Sequence, residues 1–215
     1  MSLISAGDLP FAAPTGTRLN FLACPPDVAA RAFVTAQTGQ GHACHLLDGP
    51  SEDVTSSLAR LRPLSFLGQR HLFVPTASPG WTAYVNNYQL GTNAHSVMPG
   101  LARTLGCRAV LIEAVPHGTN GEAAEALGWT ILAPELPTGQ RSVGLRNHGG
   151  FWRFWQLGCP LAFEDVGRYR FRSRRRRFDL PLLTTYAAAL DLHPFQPQFY
   201  RPGGLLVTCG APSSR

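Results

Sequence analysis

The stretch Arg70-His71-Leu72-Phe73-Val74-Pro75-Thr76-Ala77-Ser78-Pro79-Gly80-Trp81-Thr82-Ala83-Tyr84-Val85-Asn86 decides the fold class. Residues 70–75 and 81–86 are rich in aromatic and β-branched side chains and flank a Pro79-Gly80 turn, the pattern of two strands. The gap between them is too short for a crossover helix, so they pair antiparallel. The dinucleotide fingerprint G-x-G-x-x-G is absent, and the expected architecture is α+β rather than doubly wound. We expect a single domain over residues 1–215, with a mixed, largely antiparallel sheet flanked by short helices.

Working outward, residues 107–115 (Cys-Arg-Ala-Val-Leu-Ile-Glu-Ala-Val) are almost continuously apolar and read as a central strand. Ser96 and Pro99 open a helix that Gly106 closes, and residues 28–36 form another helix behind Pro25-Pro26-Asp27. Ser51 is a suitable cap, with Glu52 and Asp53 in the first turn, for a helix carrying Val54, Leu58 and Leu61 at helical spacing. Short strands are expected at 44–47, 129–133 and 205–208. Residues 121–127 have helix composition but span under two turns, and residues 134–150 read mostly as loop. The aromatics of 151–155 point to both faces, and Asp179 caps a helix running through Leu183, Tyr186, Ala187 and Leu190.

The chain has 215 residues, 44% of them hydrophobic, enough to bury a sizeable core. Its N-terminus lacks the basic and apolar regions of a secretory signal, and its apolar runs are too short to span a bilayer. Five cysteines (Cys24, Cys44, Cys107, Cys159, Cys209), odd in number and without C-x-x-C, imply reduced thiols and a cytoplasmic location.

All nineteen Lys and Arg residues are arginine. Lysine chemistry, including Schiff bases and a P-loop lysine, is therefore excluded. Seven arginines fall within residues 168–177: Arg168, Arg170, Arg172, Arg174, Arg175, Arg176 and Arg177. The remaining twelve face thirteen Asp and Glu, so the net charge of +6 is a local property. As an extended strand, 168–174 would place Arg168, Arg170, Arg172 and Arg174 on one face and Tyr169, Phe171 and Ser173 on the other. Three readings follow: a solvated element softened by Glu164, Asp165 and Asp179; a surface for an acidic protein partner; or a nucleic-acid surface with stacking rings. Seven phosphate contacts would give a log–log salt slope of about −5 to −6.

Chemistry-bearing patterns are sparse. His42, Cys44 and His45 cluster without a second Cys/His pair, so no metal site is expected. Cys44, Cys107 and Cys209 lie in apolar strand-like runs, where a thiol is inert. No G-x-S-x-G elbow or acid/base dyad stands out, so no catalytic residue or cofactor is assigned. Strand alternation places Tyr84 and Asn86 on a face opposite Trp81, which with Asn87 makes a candidate recognition surface.

The order Trp81-Thr82-Ala83-Tyr84, Asn86, Gly91-Thr92, Leu101-Ala102, Leu105, Cys107-Arg108, Leu161, Phe163-Glu164, Tyr169, Arg172, Arg177-Phe178, Tyr186, Ala189-Leu190 and Phe199-Tyr200 resembles a group of small bacterial cytosolic proteins of unknown function, akin to immunity-like or accessory proteins of toxin systems. The resemblance implies a non-enzymatic protein that binds a cognate protein partner. Members of the group carry one or two arginines between the counterparts of Tyr169 and Phe178, where this chain has a run. Nucleic-acid binding through 168–177 and an enzyme with an unrecognised site are the alternatives. No membrane partner is expected, and the oligomeric state is left open.

Overall fold

The computed structural model describes residues 3–12, 15–47, 53–66, 69–118 and 125–210. In chain order they form β1 (Arg18–Leu22), α1 (Pro26–Gly39), β2 (Cys44–Leu47), α2 (Val54–Ala59), β3 (Arg70–Pro75), β4 (Thr82–Asn86), α3 (Met98–Leu105), β5 (Ala109–Val115), β6 (Glu125–Leu132), β7 (Gln140–His148), β8 (Phe151–Leu157), α4 (Leu180–Ala188) and β9 (Leu205–Cys209). The nine strands make one sheet in the order β2-β9-β3-β4-β1-β5-β6-β7-β8. Every pairing between them is antiparallel, β3 with β4 as their short connection requires. This is the α+β architecture, with short helices.

Strand alternation divides the core in two. On one face Leu19, Phe21, Val110, Ile112, Leu127, Trp129, Val143 and Leu145 pack with Leu183 and Tyr186 of α4. On the other, Leu22, Phe73, Tyr84, Leu111 and Val207 meet Phe33 of α1 and Met98 and Leu101 of α3. β5, buried on both faces, is the strand that reads as a nearly unbroken apolar run. Over β6–β8 the second face carries Trp155 with the exposed Phe151 and Leu157, among polar side chains such as Thr130, Ser142, Arg146 and Arg153.

Caps place the helices. Asp53 accepts from Ser56 N at 2.9 Å, so Asp53 caps α2; the Ser51 and Glu52 part of that expectation lies outside the described residues. Asp179 accepts from Leu182 N at 3.0 Å and caps α4 as expected. In α3 the cap position is Val97 rather than Ser96, whose hydroxyl instead donates to Asn93 O, and Gly106 ends the helix at φ 60°. That left-handed conformation is one glycine adopts without a Cβ penalty.

Four expectations are corrected. Residues 125–127 begin β6 rather than a helix, because Glu125 is buried and its carboxylate accepts from the backbone N–H groups of Leu3 and Ile4; residues 121–124 are outside the described set. Most of the presumed loop 134–150 is β7. The 168–174 alternation does not form a strand: Arg168–Arg170 and Arg174–Arg176 are two 3₁₀ turns. The cysteines are not all thiols, since Cys44 and Cys209, cross-strand partners on β2 and β9, are disulfide-bonded. β1, at the centre of the sheet, has no counterpart among the expected strands.

Candidate binding surface

The arginine segment lies against β8, the last strand of the sheet. A buried polar clamp holds it there. Arg141 of β7 is fully buried and donates through Nε to Glu164 Oε1 (2.8 Å) and through Nη2 to Oε2 (2.6 Å). Its Nη1 reaches Gly158 O at 2.8 Å and Leu157 O at 3.3 Å, and Nη2 also reaches Gln156 Oε1 at 3.2 Å. Glu164 accepts further from Tyr169 OH (2.7 Å) and Leu161 N (2.9 Å), and Tyr169 OH meets Tyr186 OH at 2.8 Å. Burial opposes the Arg141 charge, but the hydrogen bonds and Coulomb attraction of Glu164 more than offset it and raise its pKa. The same environment pushes the Tyr169 phenol up, through burial first and then its bonds to Tyr186 and Glu164. A buried ion pair whose donors and acceptors are matched fixes geometry more than it adds stability.

From this anchor the arginines spread over the edge of the sheet. Arg168 forks onto Asp179 and also donates to Arg176 O at 3.0 Å. Arg174 Nη1 donates to Trp152 O at 2.8 Å, which covers one carbonyl of the outermost strand. Guanidinium groups sit over rings: Arg175 on Trp152 (5.0 Å), Arg176 on Phe171 (5.1 Å) and Arg177 on Phe154 (5.5 Å). Each such contact is worth about 0.5–1 kcal/mol at an exposed site. Arg177 also donates from Nε to Phe171 O at 2.7 Å. Arg170, Arg172, Arg174 and Arg176 remain exposed. The structure thus lays Arg174, Arg175 and Arg177 against β8 and pairs Arg168 with Asp179, while Tyr169, expected opposite them, is buried.

On the other face of the same edge, Trp155 lies over a glycine pair. Gly128 and Gly144 are direct cross-strand partners, and a Cβ on Gly144 would come within 2.1 Å of the indole. Beside the ring, Glu113 accepts from Arg146 at 3.0 and 3.1 Å and pairs with Arg18 at 3.6 Å. These groups line a cavity of about 270 Å³ together with Asn20, His95 and Ser142.

Tyr84, Asn86 and Asn87 are 0, 3 and 2% exposed, so they do not form an outer surface. Tyr84 OH meets His71 Nδ1 at 2.8 Å, Asn86 Oδ1 accepts from Tyr88 N and Asn93 N, and Asn87 Nδ2 donates to Pro63 O at 2.9 Å. These bonds fold the 87–93 turn back onto β4. Asn86 and His71 do line a polar cleft of about 350 Å³, together with His42 and Asn93. In the His42-Ala43-Cys44-His45 cluster the Cys44 sulfur is taken up by the disulfide, and among the described residues no group of three or more His, Cys, Asp or Glu is arranged to hold a metal ion. Among them, too, no helix is long and apolar enough to cross a membrane.

Sequence reasoning missed the Arg141–Glu164–Tyr169–Tyr186 clamp and the Trp155 platform. For the clamp no local signal stands out, since Arg141 lies between Gln140 and Ser142 with Arg146 close by; for the platform the signal was two glycines sixteen residues apart inside strand-compatible sequence. The chain matches no known protein family, no curated protein and no solved structure.

Proposed function

We propose that this chain is a non-enzymatic, immunity-type binding protein that docks an acidic face of a protein partner on the arginine surface 168–177. The observation that carries the reading is the exposure of Arg170, Arg172, Arg174 and Arg176 on a segment held rigidly to the sheet edge by a buried clamp. An array of guanidinium groups carried on an anchored backbone segment steers an acidic partner and sets its orientation. It also loses less conformational entropy on binding than a flexible tail.

The same geometry disfavours nucleic acid as the target. Binding of single strands needs rings open to bases. Tyr169 is buried, and Phe171, Trp152 and Phe154 each already carry a guanidinium. Apart from Phe171, which is 39% exposed, the segment therefore offers charge and hydrogen-bond donors more than open stacking platforms.

The test is capture from the source cell at low salt by the wild type and by R170E/R172E/R176E, each with and without nuclease. The reading expects one stoichiometric protein that survives nuclease, elutes with rising salt and is lost in the variant. Loss of all captured material after nuclease would transfer the surface to nucleic acid. Capture undiminished in the variant would remove the arginines from the interface.

A further inference from the structure

Independently of partner binding, four of the five cysteines stand in two cross-strand pairs. Cys44 and Cys209 are register partners, and the adjacent pair is joined by Gly210 N to Ala43 O at 2.8 Å. The bonded cysteines therefore occupy a position without mutual ladder hydrogen bonds, where facing side chains come closest. The β1–β5 ladder repeats this arrangement. Its register ends at Leu22↔Ala109, Ala23 N donates to Arg108 O at 2.9 Å, and the next facing residues are Cys24 and Cys107. The two thiols lie close enough for each to shift the other's titration. A facing pair of this kind has a Cα separation of about 4.5 Å, at the lower end of the span of about 4.4–6.8 Å that a disulfide bridges.

The two thiols differ in surroundings. Cys24 is buried against the cluster built on α1, whereas Cys107 is half-buried and lines an open cleft of about 320 Å³ with Pro99, Arg103, Pro134 and Gln140. The neighbouring Cys24 thiol draws the Cys107 thiol down to about 7, and the Cys107 thiol, with burial, pushes Cys24 up. A reactive thiol at the surface and a resolving thiol behind it are the two parts that disulfide exchange requires.

We propose that Cys24 and Cys107 form a redox-active dithiol that exchanges with small disulfides of the glutathione type. The Cys107 thiolate attacks one sulfur of the small disulfide, forming a mixed disulfide and expelling one thiolate. The Cys24 sulfur then attacks the Cys107 sulfur, its proton passing to the second departing thiolate. Two protein thiols are oxidised to one Cys24–Cys107 disulfide, and one small disulfide is reduced to two thiols.

The test uses the full chain, equilibrated with graded mixtures of reduced and oxidised glutathione, quenched in acid, alkylated and peptide-mapped by mass spectrometry. Exposed Cys159 serves as the internal control for reagent access. The expected result is a Cys24–Cys107 link that titrates with the mixture, a glutathione adduct trapped on Cys107 in Cys24→Ser, and no adduct on Cys24 in Cys107→Ser. Three results would overturn the proposal: a lasting glutathione adduct on wild-type Cys107 without the internal link, both thiols still reduced when Cys159 is modified, or links from either to Cys44 or Cys209. Should a serine variant fail to fold, the wild-type map alone decides.

Discussion

Glu164→Gln tests the clamp that holds the arginine surface in place. Arg141 is fully buried, and Glu164 supplies its charge compensation at 2.6 and 2.8 Å while also accepting from Tyr169 OH at 2.7 Å. A glutamine removes the charge and sets an NH₂ group among donors, so the Arg141 cation is left buried with its carboxylate gone. Breaking a buried pair from one side costs about 3–5 kcal/mol. For a chain of this size each kcal/mol lowers Tm by about 2–4 °C, which gives a fall of about 6–20 °C. The assay is thermal unfolding followed by near-ultraviolet circular dichroism at fixed salt, where Trp129 against Tyr186 and Phe163 reports on the adjacent core. The double variant R141M/E164M removes both charges and is expected to be more stable than Glu164→Gln alone, since apolar replacement of a buried pair is often close to neutral. A fall below about 2 °C, equivalent to roughly 1 kcal/mol or less, would refute the reasoning. So would a double variant less stable than the single one.

Gly144→Ala should destabilise by about 1–3 kcal/mol through overpacking, because its Cβ would meet the indole of Trp155 at 2.1 Å. Trp155→Leu in the same chain should restore most of that loss in urea titrations. Asp179→Ala removes both the cap of α4 and the partner of Arg168; it should cost about 1–2 kcal/mol, read by urea midpoint. Alkylation of Cys107 should rise with pH through a midpoint of about 7, and Cys24→Ala should move that midpoint up toward the ordinary thiol value. Because the folded Cys107 pKa lies below its unfolded one, the associated stability is present above the ordinary thiol value and is lost as pH falls through about 7. Stability that does not change over that interval in Cys24→Ala, against a rise in wild type, would confirm the coupling.

The antiparallel β3–β4 pair and the apolar β5 were legible because both are stabilised by local pattern and burial alone. So was α4, whose Asp179 cap and Leu183, Tyr186 and Ala187 face are written within a dozen residues. What escaped depended on partners distant in sequence. β6 begins at Glu125, a residue of helix composition whose carboxylate serves Leu3 and Ile4 more than 120 positions away. β7 contains Arg141, Gly144, Asn147 and His148, which read as loop until Glu164 and Trp155 explain the first two. The strict alternation from Arg168 to Arg174 gave way because burying Tyr169 against Glu164 and Tyr186 stabilises the chain more than an all-arginine strand face would. Cysteine spacing failed as a guide because Cys44 and Cys209 are 165 residues apart and meet only through strand pairing.

The central claim is that residues 168–177, together with the β8 edge beneath them, form the partner-binding surface. Hydrogen exchange on the captured complex, compared with the free chain, addresses it most directly. Slowed exchange confined to 151–157 and 168–177 is the predicted result. Unchanged exchange there, with protection appearing over β2, α1 or the 87–93 turn, would contradict the account.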